Sequence, residues 1–415
     1  MNTEFNFIKL NDVCEFIVDC LHSTAPVQST GFPLIRTPNI GKGRLILKDV
    51  FRVSDSVYKI QTKRAVPIKN DLIMAREAPA GNIAIIKNEE NVCLGQRTVH
   101  LRPNIKIINP DFLCYFLLAP KQQHSLLSSA LGATVAHINM KDIRNLKLVN
   151  LPPLPTQKKI AKILSNYDDL IENNLKRIKL LEESARLTYE EWFLRFRVDG
   201  KRLEINPESG LPFGWENKSV TECDTFKQDK RKVKEFEGEK KYYATANISE
   251  TEIIADGEII SWDSKPSRAQ IKPNNNTVWF ARMSNTYKVL CFNKKNINLQ
   301  DNSVLSSGFA GFKAKNDLCL PFLYFTINST FFHELKDLYA TGATQVSLNN
   351  DSMSFIKIIE PSANLAEEFG SRTLPLIEEI SILRSKNQLL KEARNILLPR
   401  LMTGMIDTND MSIAV

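Results

Sequence analysis

The most regular pattern in the chain is a step of four and three. Apolar or packing positions recur at Ile160, Leu164, Tyr167, Ile171, Asn174, Ile178, Leu181, Ala185, Thr188 and Trp192, and a second series runs Phe369, Thr373, Leu376, Ile380, Leu383, Asn387, Leu390, Arg394, Leu397 and Leu401. Spacing of this kind puts one stripe along a helix and, over about four heptads, predicts a coiled-coil seam. Charged pairs such as Lys158-Lys159, Asp168-Asp169, Lys176-Arg177 and Glu182-Glu183 lie between seam positions and predict charged outer faces, with the seam as the only adhesive surface. The two stripes are therefore expected to pack on each other as long antiparallel helices, with Leu164, Ile171, Ile178, Leu181, Ile380, Leu383 and Leu390 at the contact. Asn174 and Asn387 are polar seam positions, which fix register at some cost in stability. The break Leu151-Pro152-Pro153-Leu154-Pro155 precedes the first helix, with Thr156 as its N-cap, and Pro375 marks the first turn of the second helix or a kink in it.

Ahead of each helix the pattern changes to short β-rich runs. These are Leu34 to Arg36, Leu45 to Leu47, Leu72 to Met74, Ile83 to Ile86 and Val99 to Leu101; Val278 to Ala281 and Lys288 to Phe292 answer the third and fourth of them later in the chain. The correspondence extends further. Phe112-Leu113 matches Phe322-Leu323, Ala130 matches Ala340, and Gly132-Ala133-Thr134 matches Gly342-Ala343-Thr344; Ile138, Asn139 and Leu148 then align with Leu348, Asn349 and Ile358 at the same ungapped offset of 210. Half of the chain is one unit used twice, far longer than a solenoid repeat. The predicted fold is mixed α/β, with two similar domains of curved mixed sheet (1–150 and 198–360), two long helices between them (151–197 and 361–405), an internal pseudo-twofold repeat, and a flexible tail at 406–415.

Composition narrows the function. At 415 residues the chain suits two or three domains, and 43% hydrophobic content predicts folded ones. A formal charge of +8 and a pI near 9.0 favour an anionic partner. Seven scattered cysteines with no Cys-x-x-Cys fit a reducing cytoplasm better than a zinc or disulfide framework. Met1 to Leu10 shows no secretory pattern, and the apolar runs Phe112 to Ala119 and Leu318 to Phe325 are too short to cross a bilayer, so no membrane role is expected.

No catalytic constellation is visible. The chain lacks a phosphate-cradling Gly-x-x-x-x-Gly-Lys-Ser/Thr loop, an Asn-Pro-Pro-aromatic or Asp-Pro-Pro-aromatic methyltransferase tetrapeptide, and a Gly-x-Ser-x-Gly elbow. Gly41-Lys42-Gly43 reads as a turn, Glu239-Lys240-Lys241 lacks the acidic partner of a nuclease site, and the five histidines have no metal-site spacing. Features suited to nucleic acid are present. Lys227, Lys230, Arg231, Lys232, Lys234, Lys240 and Lys241 form a basic stretch followed by Tyr242-Tyr243, able to neutralise phosphates or simply to be a solvated loop. Arg76 and Arg282 stand at duplicated turns, where a guanidinium can grip O6 and N7 of guanine or tie down a loop through backbone carbonyls.

The order of these pieces resembles the specificity subunits of type I restriction-modification systems. Leu151 to Ile160, the heptad helix and Tyr189-Glu190-Glu191-Trp192-Phe193 look like that family's central conserved region; Leu211-Pro212-Phe213-Gly214-Trp215 resembles the entry to its second target-recognition domain, and Leu397-Leu398-Pro399-Arg400-Leu401-Met402-Thr403-Gly404 its closing segment. In the first domain, His22-Ser23-Thr24 and Gly31 to Thr37 are similar to its opening loop and Gly95 to Arg102 to a later strand. The second domain has no obvious counterpart of His22-Ser23-Thr24, and Pro361-Ser362-Ala363 replaces the proline-rich break.

The resemblance implies a noncatalytic, cytoplasmic prokaryotic subunit that binds double-stranded DNA at a bipartite target, with the paired helices as a ruler. It implies two modification subunits carrying S-adenosylmethionine-dependent adenine methylation, and motor-nuclease restriction subunits using ATP and Mg; no cofactor is expected in this chain. The DNA-contacting candidates are His22, Ser23, Thr24, Arg36, Arg76, Arg97, Lys227, Lys230, Arg231, Lys232, Arg268 and Arg282. A coiled-coil scaffold that binds protein and not DNA is the competing reading, separable by whether the protein retains duplex DNA with its partners.

Overall fold

The computed structural model describes residues 7–87, 91–128, 137–342 and 346–407. Two compact units emerge: residues 1–173 with 387–415, and residues 174–386. Each unit thus joins one globular region to the adjoining halves of both long helices, so the helices are not modules of their own.

In the first unit the elements run β1 (Phe7–Lys9), β2 (Cys14–Asp19), β3 (Phe32–Ile35), β4 (Gly43–Arg44), β5 (Arg52–Val53), α1 (Asp55–Gln61), β6 (Leu72–Ala75), β7 (Ile83–Ile85), β8 (Cys93–Leu94), β9 (Thr98–Pro103), α2 (Pro110–Leu118), α3 (Pro120–Ser128), α4 (Met140–Asn145), β10 (Lys147–Val149) and α5 (Leu154–Tyr189). The main sheet has the order β2-β9-β6-β7-β4, antiparallel except where β4 runs parallel to β7. A smaller sheet has the order β5-β3-β8 with β3 parallel to β8, and β1 pairs with β10. Leu45 to Leu47 lies outside this ladder except for an isolated Ile40–Leu45 bridge; the strand stops at Arg44.

The central strands β6 and β7 are buried on both faces, which is why they read as continuous apolar runs. Side chains alternate across the pleat: Leu72, Met74, Ile83 and Ile85 face the core shared with Phe112, Leu113 and Phe116 of α2, while Ile73, Ala75 and Ala84 face a second cluster with Ile35 and Leu94. α2 starts where the Asn109 Oδ1 accepts from the Phe112 N–H at 2.9 Å, with Pro110 at the first helical position.

A charged group within this unit is fully enclosed. Asp71, 1% exposed, accepts from Arg102 Nε (2.9 Å) and Nη2 (2.8 Å), pairs with His100 Nε2 (2.6 Å), and accepts from the Ile68 N–H (2.9 Å). Burial alone would raise its carboxyl, but the Arg102 fork and His100 outweigh burial and hold it below the ordinary carboxylate value. Its stabilising contribution is therefore complete above the unfolded carboxyl's pKa of about 3.9 and disappears as pH falls through the lower folded value. Asp71→Asn is expected to cost the first unit about 3 kcal/mol near neutral pH, because it leaves Arg102 partly buried without its counter-charge. Thermal unfolding of wild type and variant from pH 7 downward checks this; the gap between them should close in acid.

The second unit repeats the plan: β11 (Arg197–Val198), β12 (Lys201–Arg202), β13 (Glu216–Ser219), β14 (Phe226–Asp229), β15 (Lys240–Tyr243), β16 (Ile248–Ser249), β17 (Glu252–Ile253), β18 (Glu258–Ile260), β19 (Ala269–Ile271), β20 (Thr277–Ala281), β21 (Val289–Phe292), α6 (Ile297–Asp301), β22 (Ser303–Ser306), β23 (Phe309–Ala314), α7 (Leu320–Ile327), α8 (Thr330–Leu338), β24 (Lys357–Glu360) and α9 (Ala363–Met402). The order β14-β23-β20-β21 reproduces β2-β9-β6-β7, all antiparallel. β18-β15-β22-β19 contains the same parallel pair, β15 with β22, as β3 with β8; β13 pairs with β24 as β1 does with β10. The alternation recurs too, with Val278 and Phe280 in the α7 core and Trp279 and Ala281 on the other face. The duplication read from the sequence is therefore one of topology. The Gly132-Ala133-Thr134 match and the Ala343-Thr344 part of its partner lie outside the described residues, as does Ala130.

The helices follow the heptad series, with every seam residue buried or half-buried. In the first unit Leu397, Leu398 and Leu401 join the core containing Ile160 and Leu164. In the second, Ile178 and Leu181 cluster with Ile380 and Leu383, Arg177 pairs with Glu379 (3.1 Å), and Phe193 meets Phe369 edge-on at 5.1 Å. Partner numbers fall as residue numbers rise, so the pairing there is antiparallel. Ile171 is buried and Leu390 half-buried.

Five details differ from expectation. α5 begins at Leu154, so Thr156 lies inside its first turn rather than capping it. Pro375 sits in the interior of α9, which runs on unbroken. Pro375 and Ser371 are both exposed, so the carbonyl deprived of its N–H partner can meet water. Asp168 is 4% exposed rather than on a charged outer face: it accepts from the Tyr115 hydroxyl (2.6 Å) and pairs with Arg394, because this stretch packs on the globular core as well as on α9. The outer faces are also less polar than predicted, with Leu170, Leu175, Leu180, Leu187, Leu389 and Ile396 exposed. Ile406, placed in the flexible tail, packs against the first unit's core; residues 408–415 lie outside the described residues.

Candidate nucleic-acid interface

In the first unit one end of the main sheet collects polar groups from four segments: the end of β2, the start of β9, the end of β6, and residue 137. Asp19 closes β2 and binds Arg64 Nη1 (2.5 Å), His22 Nε2 (3.0 Å) and, at 3.6 Å, Arg76 Nη1. Gln96 Nε2 donates to the His22 carbonyl (2.7 Å) and reaches Thr24 Oγ1 (3.3 Å), while Gln61 Nε2 reaches Ser23 Oγ (3.4 Å). These bonds hold the exposed loop after β2 against the turn before β9 and the end of α1. Arg36 stands beside them: a Cβ on Gly95 would meet its Cγ at 3.2 Å, and its guanidinium covers the Phe51 ring at 4.1 Å. Arg97 has φ 64°, a left-handed conformation uncommon outside glycine, asparagine and aspartate, and its Nε is 2.9 Å from Glu77 Oε2. Glu77 Oε1 meets His137 Nδ1 at 2.8 Å. His22, Ser23, Thr24, Arg36, Arg76 and Arg97 are thus brought to one place.

The same end of the second unit is built on the same backbone bonds. The Arg76 N–H donates to the Arg97 carbonyl (2.9 Å) and the Ile138 N–H to the Arg76 carbonyl (3.0 Å); the Arg282 N–H donates to the Gly308 carbonyl (2.9 Å) and the Leu348 N–H to the Arg282 carbonyl (2.9 Å). The loop after β14 occupies the position of the His22-Ser23-Thr24 loop after β2, and it is the basic stretch. Lys230, Lys232 and Lys234 are exposed there, Lys232 bridges to Ile271 at the end of β19, and exposed Arg268 accepts from the Ser307 N–H through its carbonyl at 2.8 Å. Lys227 is exposed within β14, opposite Lys313.

Two candidates are corrected by their surroundings. Arg76 is 7% exposed and donates from Nε to the Ile138 carbonyl (2.9 Å), with Nη2 2.7 Å from His137 Nε2. Arg282 donates to the carbonyls of Phe309 (3.0 Å) and Leu348 (3.1 Å) and to Asn350 Oδ1 (2.8 Å), and burial lowers its pKa. Both therefore tie a loop to the sheet, the second of the two roles open at these turns, because a guanidinium inside the fold can satisfy several carbonyls at once. Arg231 is paired with Asp229 (Nε to Oδ1 2.9 Å) and, like Arg97 beside Glu77, stays exposed. Asp19, Glu77 and His137 were not singled out from the sequence. They are isolated residues on separate segments, and only the sheet end assembles them; Gln96 was quoted solely as part of a strand.

Residues 2–183 match the family described as "Type I restriction modification DNA specificity domain". The type I restriction enzyme HindI specificity subunit of Haemophilus influenzae is 24% identical over 426 residues, covering 83% of this chain and 88% of that protein. The MjaIX specificity subunit of Methanocaldococcus jannaschii is 24% identical over 387 residues, covering 86% and 82%. The chain is thus similar to type I restriction-modification specificity subunits, in residues 2–183 by the family match and over most of its length by these relatives. Among solved structures, the S subunit of such a system from M. genitalium has the same fold, with TM-score 0.54 at 15% identity over 97% of both chains. The matched domain is one of DNA specificity, and the sheet ends with their shared backbone bonds are what the two units have in common. Among the described residues no helix is long and apolar enough to cross a membrane.

Proposed function

We propose that each unit reads one half of a bipartite DNA target through its sheet end, and that α5 and α9 fix the number of unread base pairs between the halves. The observation that carries this reading is the reuse of one topology with the same end loaded each time: an exposed loop after the first main-sheet strand, held beside the turn before β9 or β23. A helix of about 40 residues spans about 60 Å, enough to cover recognition segments about one 34 Å turn of duplex apart. The exposed leucines of α5 and the exposed Leu389 and Ile396 of α9 support docking of two modification subunits, which would bring S-adenosylmethionine and methylate adenine. Motor-nuclease subunits with ATP and Mg would complete restriction.

The test is to assemble the subunit with its modification partners and sequence the methylated sites: two separated half-sites are expected, and replacing 1–150 by the corresponding segment of a relative should change one of them only. A target with a single contiguous element would overturn the reading. Lys230→Ala, Lys232→Ala and Arg268→Ala together should flatten the dependence of log affinity on log salt by about 0.9 for each side chain that contacts a phosphate, and leave both half-sites unchanged. Titration of one duplex at several salt concentrations measures it.

A further inference from the structure

The two sheet ends share their backbone bonds and an arginine turned in to backbone carbonyls, yet the residues set on that frame differ completely. The shared bonds put Arg97 in register with Gly308 and Ile138 with Leu348. The residue after this arginine is Glu77 in one unit and Met283 in the other, and the residue before the Ile138 or Leu348 strand-end contact is His137 or Ser347. The first unit therefore presents Glu77, Arg97 and His137. The second presents Met283, Gly308 and Ser347, with Met283 and Ser347 bridged through their backbones.

The two sets have opposite chemistry. Glu77 divides its carboxylate, Oε2 to Arg97 Nε (2.9 Å) and Oε1 to His137 Nδ1 (2.8 Å), and Arg76 Nη2 holds the far side of the His137 ring. A guanidinium fixed through Nε keeps its terminal nitrogens for other acceptors, and the Arg97 side chain is 62% exposed. In the second unit the Met283 side chain is 43% exposed, no charge stands at the three positions, and Lys336 Nζ binds the Met283 carbonyl at 2.7 Å, fixing the turn without reaching past it.

We infer that these three positions determine which base each unit selects: Arg97, positioned by Glu77 and His137, reads a base edge with two acceptors, as guanine presents through O6 and N7, and Met283 makes apolar contact with a base edge such as the thymine methyl. Glu77 and His137 are positioning residues in this scheme. It rests on the reading of each unit as a half-site reader.

The experiment compares methylated-site sequences for the full subunit, assembled with its modification partners, in five forms: wild type, Arg97→Ala, Arg97→Lys, Glu77→Gln and Met283→Ala. Arg97→Ala should lose at least tenfold in preference for guanine at one position of one half-site. Glu77→Gln should weaken that preference less, and Met283→Ala should alter a position in the other half-site only. Thermal unfolding confirms that each variant is folded, and Arg97→Lys, which restores charge without the fork, should recover affinity and not the guanine preference. If the folded Arg97 and Met283 variants leave both half-sites as in wild type while exchange of 1–150 changes one, the inference fails and half-site reading stands. If that exchange also changes nothing, half-site reading itself fails.

Discussion

Seven residues inserted after Asn173 and seven after Lys386, each keeping the heptad phase, lengthen the unread spacer of the target by about three base pairs and leave the two half-site sequences as they are. One heptad adds about 10.5 Å of helix, and duplex DNA rises about 3.4 Å per base pair. Insertion of a whole heptad preserves the seam, so Ile178, Leu181, Ile380 and Leu383 keep their cluster. Three base pairs also turn the duplex by about 100°, so affinity falls even for the matching spacer. Sequencing methylated sites reads both effects, and an unchanged spacer would remove the ruler from the proposal while leaving the two readers in place. Insertion of four residues instead shifts the seam out of phase and should destabilise the helix pair.

Gly370→Ala is expected to destabilise the second unit as strongly as Asp71→Asn does the first. Gly370 lies within α9 where a Cβ would come 1.8 Å from the Leu318 carbonyl oxygen and 2.8 Å from its Cα. Both obstacles are backbone at the entry to α7, so no side chain can swing away; the helix itself must move. Phe369 next to it is completely buried among Tyr189, Trp192 and Phe193, which resists that movement. A loss of about 3 kcal/mol is expected for the second unit, against almost none for Ser371→Ala on the exposed side of the same turn. Thermal unfolding of the two variants decides it; equal transitions would mean that α9 and Leu318 are not in contact. In the assembled complex the Gly370 variant should weaken recognition of one half-site only.

Much of the architecture was legible because it depends on period. The four-three spacing identified two long helices, the Leu72 and Ile83 runs located central strands, and the 210-residue offset exposed a duplicated unit, since each pattern reports the geometry of a repeating backbone. Periodicity was blind to what packs on a second face. Asp168 and Asp169 look alike as neighbours on a helix, yet Asp168 is enclosed by Tyr115 and Arg394 while Asp169 pairs with Arg44 near solvent.

The candidate site was legible only in part. Basic and hydroxyl-bearing residues of the loops were found, since their composition marks them, and a duplicated arginine was found by its offset. Whether that arginine points into the fold or away from it is a tertiary fact. Arg76 and Arg282 turn inward to carbonyls 62 and 66 residues further along the chain. Arg97, with no duplicate at all, stays exposed beside Glu77.

By itself the sequence determined the helices, the central strands and their repetition, because these follow from local spacing of apolar side chains. Tertiary structure alone decided which charges are buried, which arginines are ties, and which three residues share the end of each sheet. Those outcomes depend on segments distant in the chain meeting across hydrogen-bonded strands, and no local pattern encodes that meeting.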